Sequence, residues 1–163
     1  MTKKHTASRR IVIAMFVLYV LAMLFLLVIP NNYRGHNVLV GGFTWERWLA
    51  YITRAFNLVP FKGLAGQIRS IIAGEDTVRN IVYMAGNLGG FAPLGFFLPA
   101  LFAKGRKFKA FLLTVLITVI ALELMQLITM RGSFDIDDVI LNTGGVYLGF
   151  LLFRKAKIPS RLQ

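Results

Sequence analysis

Hydrophobic positions in this chain come in long uninterrupted blocks, not in the short alternating runs of strands. The first, Ile11 to Pro30, holds about 20 apolar residues, enough for one helix across roughly 30 Å of hydrocarbon. Three more blocks follow, at about Asn80–Ala103, Ala110–Met130 and Asp138–Phe153. The last has about 16 residues, or roughly 24 Å at 1.5 Å per residue, so it is expected to begin slightly inside the interface. Residues 31–79 read differently. Trp45, Trp48, Leu49, Ile52, Phe56 and Val59 recur at helical spacing, with Glu46, Arg47, Arg54 and Asn57 mainly opposite. That pattern predicts an amphipathic helix ending at Pro60, either lying in the headgroup layer with its tryptophans or packed over the spans as a lid. A second short amphipathic piece follows around Leu64, Ile68, Ile71 and Ile72, and Gly74-Glu75-Asp76-Thr77 reads as the turn and cap before the next span. The chain is therefore expected to be all-α: a single 1–163 membrane domain of four transmembrane helices plus an interfacial amphipathic segment.

Polar residues inside the blocks are few and placed at similar depth. The second block carries Asn87 between Gly86 and Gly90, a small-xxx-small pair that predicts close approach by a neighbouring helix, and Pro93, which predicts a kink. The third carries Glu123 and Gln126 on one face; the fourth carries Asn142 one turn beyond Asp138, with Gly145 and Gly149 continuing that face. From the helical rise, Asn87 lies about 10 Å, Glu123 about 12 Å and Asn142 about 6 Å from the same side of the membrane. Three separate spans thus deliver polar groups to one level, beneath a loop containing Arg131, Asp135, Asp137 and Asp138.

Charge adds a topology. The chain carries 19 Lys and Arg against 7 Asp and Glu, a net +12. A nucleic-acid partner would need a soluble basic face, whereas these cations sit between apolar blocks. Lys3, Lys4, Arg9 and Arg10, then Lys104, Arg106, Lys107 and Lys109, then Arg154, Lys155, Lys157 and Arg161 form three segments free of acids. They are expected to be cytoplasmic, which puts both termini inside and residues 31–79 and 131–137 outside. With 56% hydrophobic residues the chain is too apolar for an ordinary soluble domain, and with no cysteine it has neither disulfides nor thiolate chemistry. The exit of the first block, Leu26 to Asn32, offers no small-x-small cleavage site, so it reads as a retained anchor.

Among candidate groups Glu123 stands first, because a carboxylate in hydrocarbon demands neutralisation or a partner. Gln126, Asn87 and Asn142 are the expected hydrogen-bond partners, and Arg131, about two helical turns on, the expected ionic one. Asp135, Asp137 and Asp138 have two readings. Asp137 and Asp138 are weak candidates for a divalent cation, although no further ligands stand at set spacing. Otherwise one acid of the run caps the fourth span and another pairs with Arg131. No resident cofactor is expected. Arg47, Arg54, Lys62, Arg69, Arg79 and Arg131 suit lipid phosphates or an acidic ligand, or serve as ordinary interface anchors. His5 and His36 are solitary, Ser133 lacks a nucleophile-elbow setting, and no nucleotide-binding motif occurs.

Taken in order, Asn57-Leu58-Val59-Pro60-Phe61, Asn87 with Phe91-Ala92-Pro93-Leu94-Gly95-Phe96, Glu123-x-x-Gln126, and Arg131-x-x-Phe134-Asp135-Ile136-Asp137-Asp138-x-x-x-Asn142-Thr143-Gly144-Gly145 resemble the VanZ-like membrane proteins. That family is named for a teicoplanin-resistance protein of Gram-positive bacteria. Gly90 departs from it, standing where an apolar residue is expected. The resemblance implies a multi-pass protein of the bacterial cell membrane, linked to lowered susceptibility to teicoplanin-type lipoglycopeptides.

The expected function is recognition of a lipoglycopeptide or membrane-lipid headgroup by an outer-leaflet pocket of Asn87, Glu123, Gln126, Arg131, Asp135, Asp137, Asp138 and Asn142. The alternatives are an enzyme on a lipid-linked substrate, with Glu123 as acid or base, and a proton-coupled transporter; the sequence does not choose among them. The topology has a direct check. In intact cells, a membrane-impermeant thiol reagent is expected to label a cysteine introduced at Ser133 but not one at Lys107, and the opposite pattern refutes the assignment.

Overall fold

A computed structural model describes residues 3–28, 43–102 and 107–156. The end of the first span at Pro30, the stretch 31–42, residues 103–106 of the basic loop and the tail from 157 lie outside the described residues. The elements are α1 (Lys3–Val28), α2 (Trp45–Arg54), β1 (Phe56–Asn57), α3 (Lys62–Ile72), α4 (Thr77–Leu101), α5 (Phe108–Ile128), β2 (Phe134–Asp135) and α6 (Ile136–Lys155). Four of these helices, α1, α4, α5 and α6, are long and apolar enough to cross a membrane. The fold class is therefore the expected helical bundle.

Helices α4 and α6 form its centre, and glycine is what brings them together. A Cβ at Gly145 would stand 2.0 Å from the Leu88 carbonyl oxygen, and one at Gly149 1.8 Å from that of Ala92. On the opposing helix a Cβ at Gly95 would meet the Val146 carbonyl at 1.8 Å. These separations leave room for hydrogen only, so the backbones touch through Cα–H groups aimed at carbonyl oxygens, each contact worth about 0.5–1 kcal/mol. Both partner positions advance by four residues in the same sense, Leu88 to Ala92 and Gly145 to Gly149, so α4 and α6 run parallel. Helix α5 returns the chain between them, joined to α6 by Glu123 with Asn142 at one level and by the Phe111–Phe150 ring stack, 4.4 Å apart, at another. Helix α1 lies outermost. Phe16 and Tyr19 meet Phe97, the Tyr19 hydroxyl donates to the Gly90 carbonyl at 3.0 Å, and most other α1 side chains are exposed.

Gly86 and Gly90 do not make the close approach expected of them: among the described residues no other element comes within 4 Å of a Cβ built at either. Two Gly-xxx-Gly pairs occur in the chain, and the pair at 145 and 149 is the one turned inward. Helix α6 is also longer than its expected 16 or so residues. It has 20, about 30 Å, gaining Ile136 and the buried Asp137 at its start and Arg154 and Lys155 at its end.

The segment before α4 departs from expectation at one place. Helix α2 stops at Arg54, six residues short of Pro60, because Phe56 and Asn57 pair in parallel with Phe134 and Asp135. Phe134 N–H donates to the Ala55 carbonyl at 2.8 Å, and the rings of Phe56 and Phe134 stack. Helix α3 forms as expected. Gly74 takes the left-handed conformation at the following turn, and Asp76 occupies the N-cap position of α4, yet its carboxylate pairs with Arg79 at 2.6 Å instead of capping.

The glycine contact yields a contrast. Gly145→Ala and Gly149→Ala are expected to lower the unfolding temperature in detergent, at a cost of about 1–3 kcal/mol each, since the helices must move apart. Gly86→Ala, with open space around it, is expected to be neutral or slightly stabilising. Equal stability of all three variants contradicts the packing described.

Candidate functional site

The polar residues gather where α4 and α6 begin and α5 ends. Helix α5 closes with Met130 in the left-handed conformation, φ 56°, and its Gln126 carbonyl accepts from the Arg131 and Gly132 amides. This is a Schellman-type stop made with methionine in the usual glycine place. Arg131 therefore lies past the turn that ends α5. Helix α2 packs over this stop: Trp48 Nε1 donates to the Ile128 carbonyl at 3.1 Å and the buried Tyr51 hydroxyl to that of Gly132 at 2.8 Å. Two carbonyls that the helix end leaves open thus gain donors from an aromatic lid.

The acidic run then sorts into distinct roles. Asp135 caps α6, its carboxylate accepting from the Asp137 amide at 2.9 Å, and also accepts from Asn57 Nδ2 at 3.2 Å. Asp137, buried, reaches across to α3 and accepts from the Phe61 amide at 2.5 Å and the Leu64 amide at 2.9 Å. Phe61 sits in the α3 N-cap position with φ 63° and has no side chain able to cap. Asp137 supplies the missing acceptor from elsewhere in the chain, beside the positive end of the helix. Gly63 makes the approach possible, since a Cβ there would stand 3.1 Å from Asp137 Oδ2 and 3.3 Å from Asp135 Oδ2.

Deeper in the bundle the partners change from backbone to side chain. Buried Asp138 accepts from the Tyr83 hydroxyl at 2.5 Å and from Asn87 Nδ2 at 2.8 Å, both on α4. One turn further along α6, Asn142 Nδ2 donates to Glu123 Oε1 of α5 at 2.9 Å, with Asn142 only 1% and Glu123 2% exposed. Among the described residues no donor reaches Asn142 Oδ1. Gln126 is buried on the Glu123 face of α5, and Arg131 is half-buried above it. Of the expected site residues, then, Glu123 joins Asn142 and Asn87 joins Asp138, while Asp135 and Asp137 hold helix ends.

Chemically this is a centre rich in acceptors, with carboxylates at two levels of the bundle. Among the described residues no three or more His, Cys, Asp or Glu side chains stand together as a metal site would need. Asp137 and Asp138 direct their oxygens to amides, a phenol and a carboxamide. The sequence reading passed over Tyr83, although it precedes Asn87 by one helical turn and so shares its face. It also passed over Gly63, which carries no local signal for a contact made by a residue more than seventy positions away.

The Asp137 contact has a measurable consequence. Asp137→Ala removes both acceptors from the start of α3, a loss of about 0.5–2 kcal/mol by the usual cost of a cap. Faster amide hydrogen exchange at residues 61–65, with exchange in α5 unchanged, is the expected outcome. Unaltered exchange at Leu64 rules the cap out.

A family model, VanZ/LLP1, matches residues 16–158, a stretch that takes in the second half of α1 and every described element after it. No curated protein and no solved structure matches the chain. The match over most of its length, together with four helices able to cross a membrane, identifies the chain as a multi-pass membrane protein belonging to the VanZ/LLP1 family.

Proposed function

We propose that this protein acts in the bacterial cell membrane to lower susceptibility to teicoplanin-type lipoglycopeptides, by recognising an amphiphilic headgroup at the polar centre around Glu123. In this reading both termini are cytoplasmic, the centre lies in the outer half of the bilayer, and the ligand is either the lipoglycopeptide or a membrane lipid. The observation that carries it is the Glu123–Asn142 hydrogen bond between α5 and α6, with both residues almost wholly buried. A buried carboxylate is costly to keep in a membrane bundle, and the Phe111–Phe150 stack gives α5 and α6 an apolar contact that does not need one. Asn142 Oδ1, a buried acceptor with no donor among the described residues, supports binding of a group that brings a hydrogen-bond donor. Asp138, which accepts from Tyr83 and Asn87, adds a second buried carboxylate one helical turn away from Asn142.

The roles of Asp135 and Asp137 narrow the proposed pocket. Their oxygens serve the first turns of α6 and α3, so they shape the rim, and ligand contact falls to Glu123, Asp138, Asn142 and Arg131. Glu123→Gln keeps an oxygen for Asn142 while removing charge; Asp138→Asn and Arg131→Gln are its counterparts. Loss of one charge-assisted hydrogen bond of about 1.5–3 kcal/mol weakens binding by about one to two orders of magnitude. In a susceptible host, each variant is expected to lose teicoplanin tolerance at normal membrane abundance. Full tolerance in all three sinks the proposal.

A further inference from the structure

We propose that α2, α3 and the loop between them form a binding surface for anionic phospholipid headgroups, independent of the pocket around Glu123. The argument starts from how each helix divides its circumference at about 100° per residue. On α2, Trp48, Tyr51 and Ala55 face the bundle. Trp45 and Leu49, 67% and 56% exposed, lie on one flank, and Arg47 and Arg54, also exposed, lie about 170° away on the other. On α3, Gly63, Leu64, Gln67 and Ile71 turn inward, Ile68 and Ile72 form an exposed apolar flank, and Lys62 and Arg69 an exposed cationic one. The loop between the helices adds exposed Leu58, Val59 and Phe61.

A helix over water has no use for a second, outward apolar flank, and a helix buried in acyl chains has none for a cationic one. Three faces fit a helix at the headgroup layer: one against protein, one toward acyl chains, one toward phosphate and water. Charge selects the anionic headgroup. Arg47, Arg54, Lys62 and Arg69 face Glu46 and Glu75 as the exposed acids of the segment, while Asp76 is taken by Arg79. The surplus is positive, and cations at this level attract anionic lipid.

Both tryptophans of the chain, Trp45 and Trp48, are in α2, and Trp45 is the one on the exposed flank, so a change in tryptophan emission caused by lipid reports on this segment. The full-length protein is placed in phosphatidylcholine nanodiscs containing equal mole fractions of acyl-brominated phosphatidylcholine or acyl-brominated phosphatidylglycerol. Brominated phosphatidylglycerol is expected to quench about two to five times more than brominated phosphatidylcholine at low salt. The ratio falls toward one at high salt and in the Arg54→Gln, Lys62→Gln, Arg69→Gln variant; the salt series needs no substitution and stands if that variant is poorly made. Equal quenching by the two lipids overturns the proposal. So does strong quenching by aqueous acrylamide with none by lipid, which puts the helix in water, or shielding from both, which means that protein covers it.

Discussion

Everything polar in this protein is positioned by a contact that has no polar side chain in it. Helices α4 and α6 touch backbone to backbone at Gly95, Gly145 and Gly149, with no room for a methyl group at any of the three. That contact fixes the register of the two helices, and register decides which residues meet above it. Asn87 lies beside Leu88, the partner of Gly145, and Tyr83 one turn before Asn87; Asp138 lies two turns before Gly145. A slide of one residue between the helices would carry the Asp138 carboxylate away from both donors. Burying a carboxylate without donors is costly in a membrane bundle, so packing and polar satisfaction enforce the same alignment.

A single short stretch does two kinds of work because its side chains point in different directions. Asp135 and Asp137 turn toward the α2–α3 segment and end as acceptors for the first turns of α6 and α3. Asp138 and Asn142 turn inward and meet side chains of α4 and α5. The first pair explains why a segment with little core of its own has a defined place: two helix ends, a two-residue parallel pairing and Gly63 converge on two carboxylates. The second pair ties α6 to both of its neighbours by side-chain hydrogen bonds.

The spans were legible because a hydrocarbon slab imposes a simple rule, about 20 apolar residues per crossing, and the chain obeys it four times. The buried polar level was legible for a related reason: Glu123, Asn87 and Asn142 stand out against apolar neighbours, and helical rise places them. What local pattern could not supply was anything settled across the chain. Phe56 continues the apolar stripe of α2 and Asn57 its polar one, and only Phe134 and Asp135 pull them into a strand. Met130 and Phe61 adopt positive φ without the glycine that announces it. The pairs Gly86/Gly90 and Gly145/Gly149 look alike as text, and the partner helix alone tells them apart.

The reach of Asp137 sets an order on synthesis. Helix α3 receives its cap from a residue 73 positions beyond Leu64, and the Phe56–Asn57 strand receives its partner from 134–135. When a ribosome has completed α3, neither acceptor nor partner strand yet exists, and two further spans must be threaded into the bilayer before they do. During that interval the segment has its amphipathic faces but lacks the contacts that fix its place. Helix α6 therefore finishes the folding of α3, made two spans earlier, and a chain truncated before α6 loses the architecture of this segment along with that span.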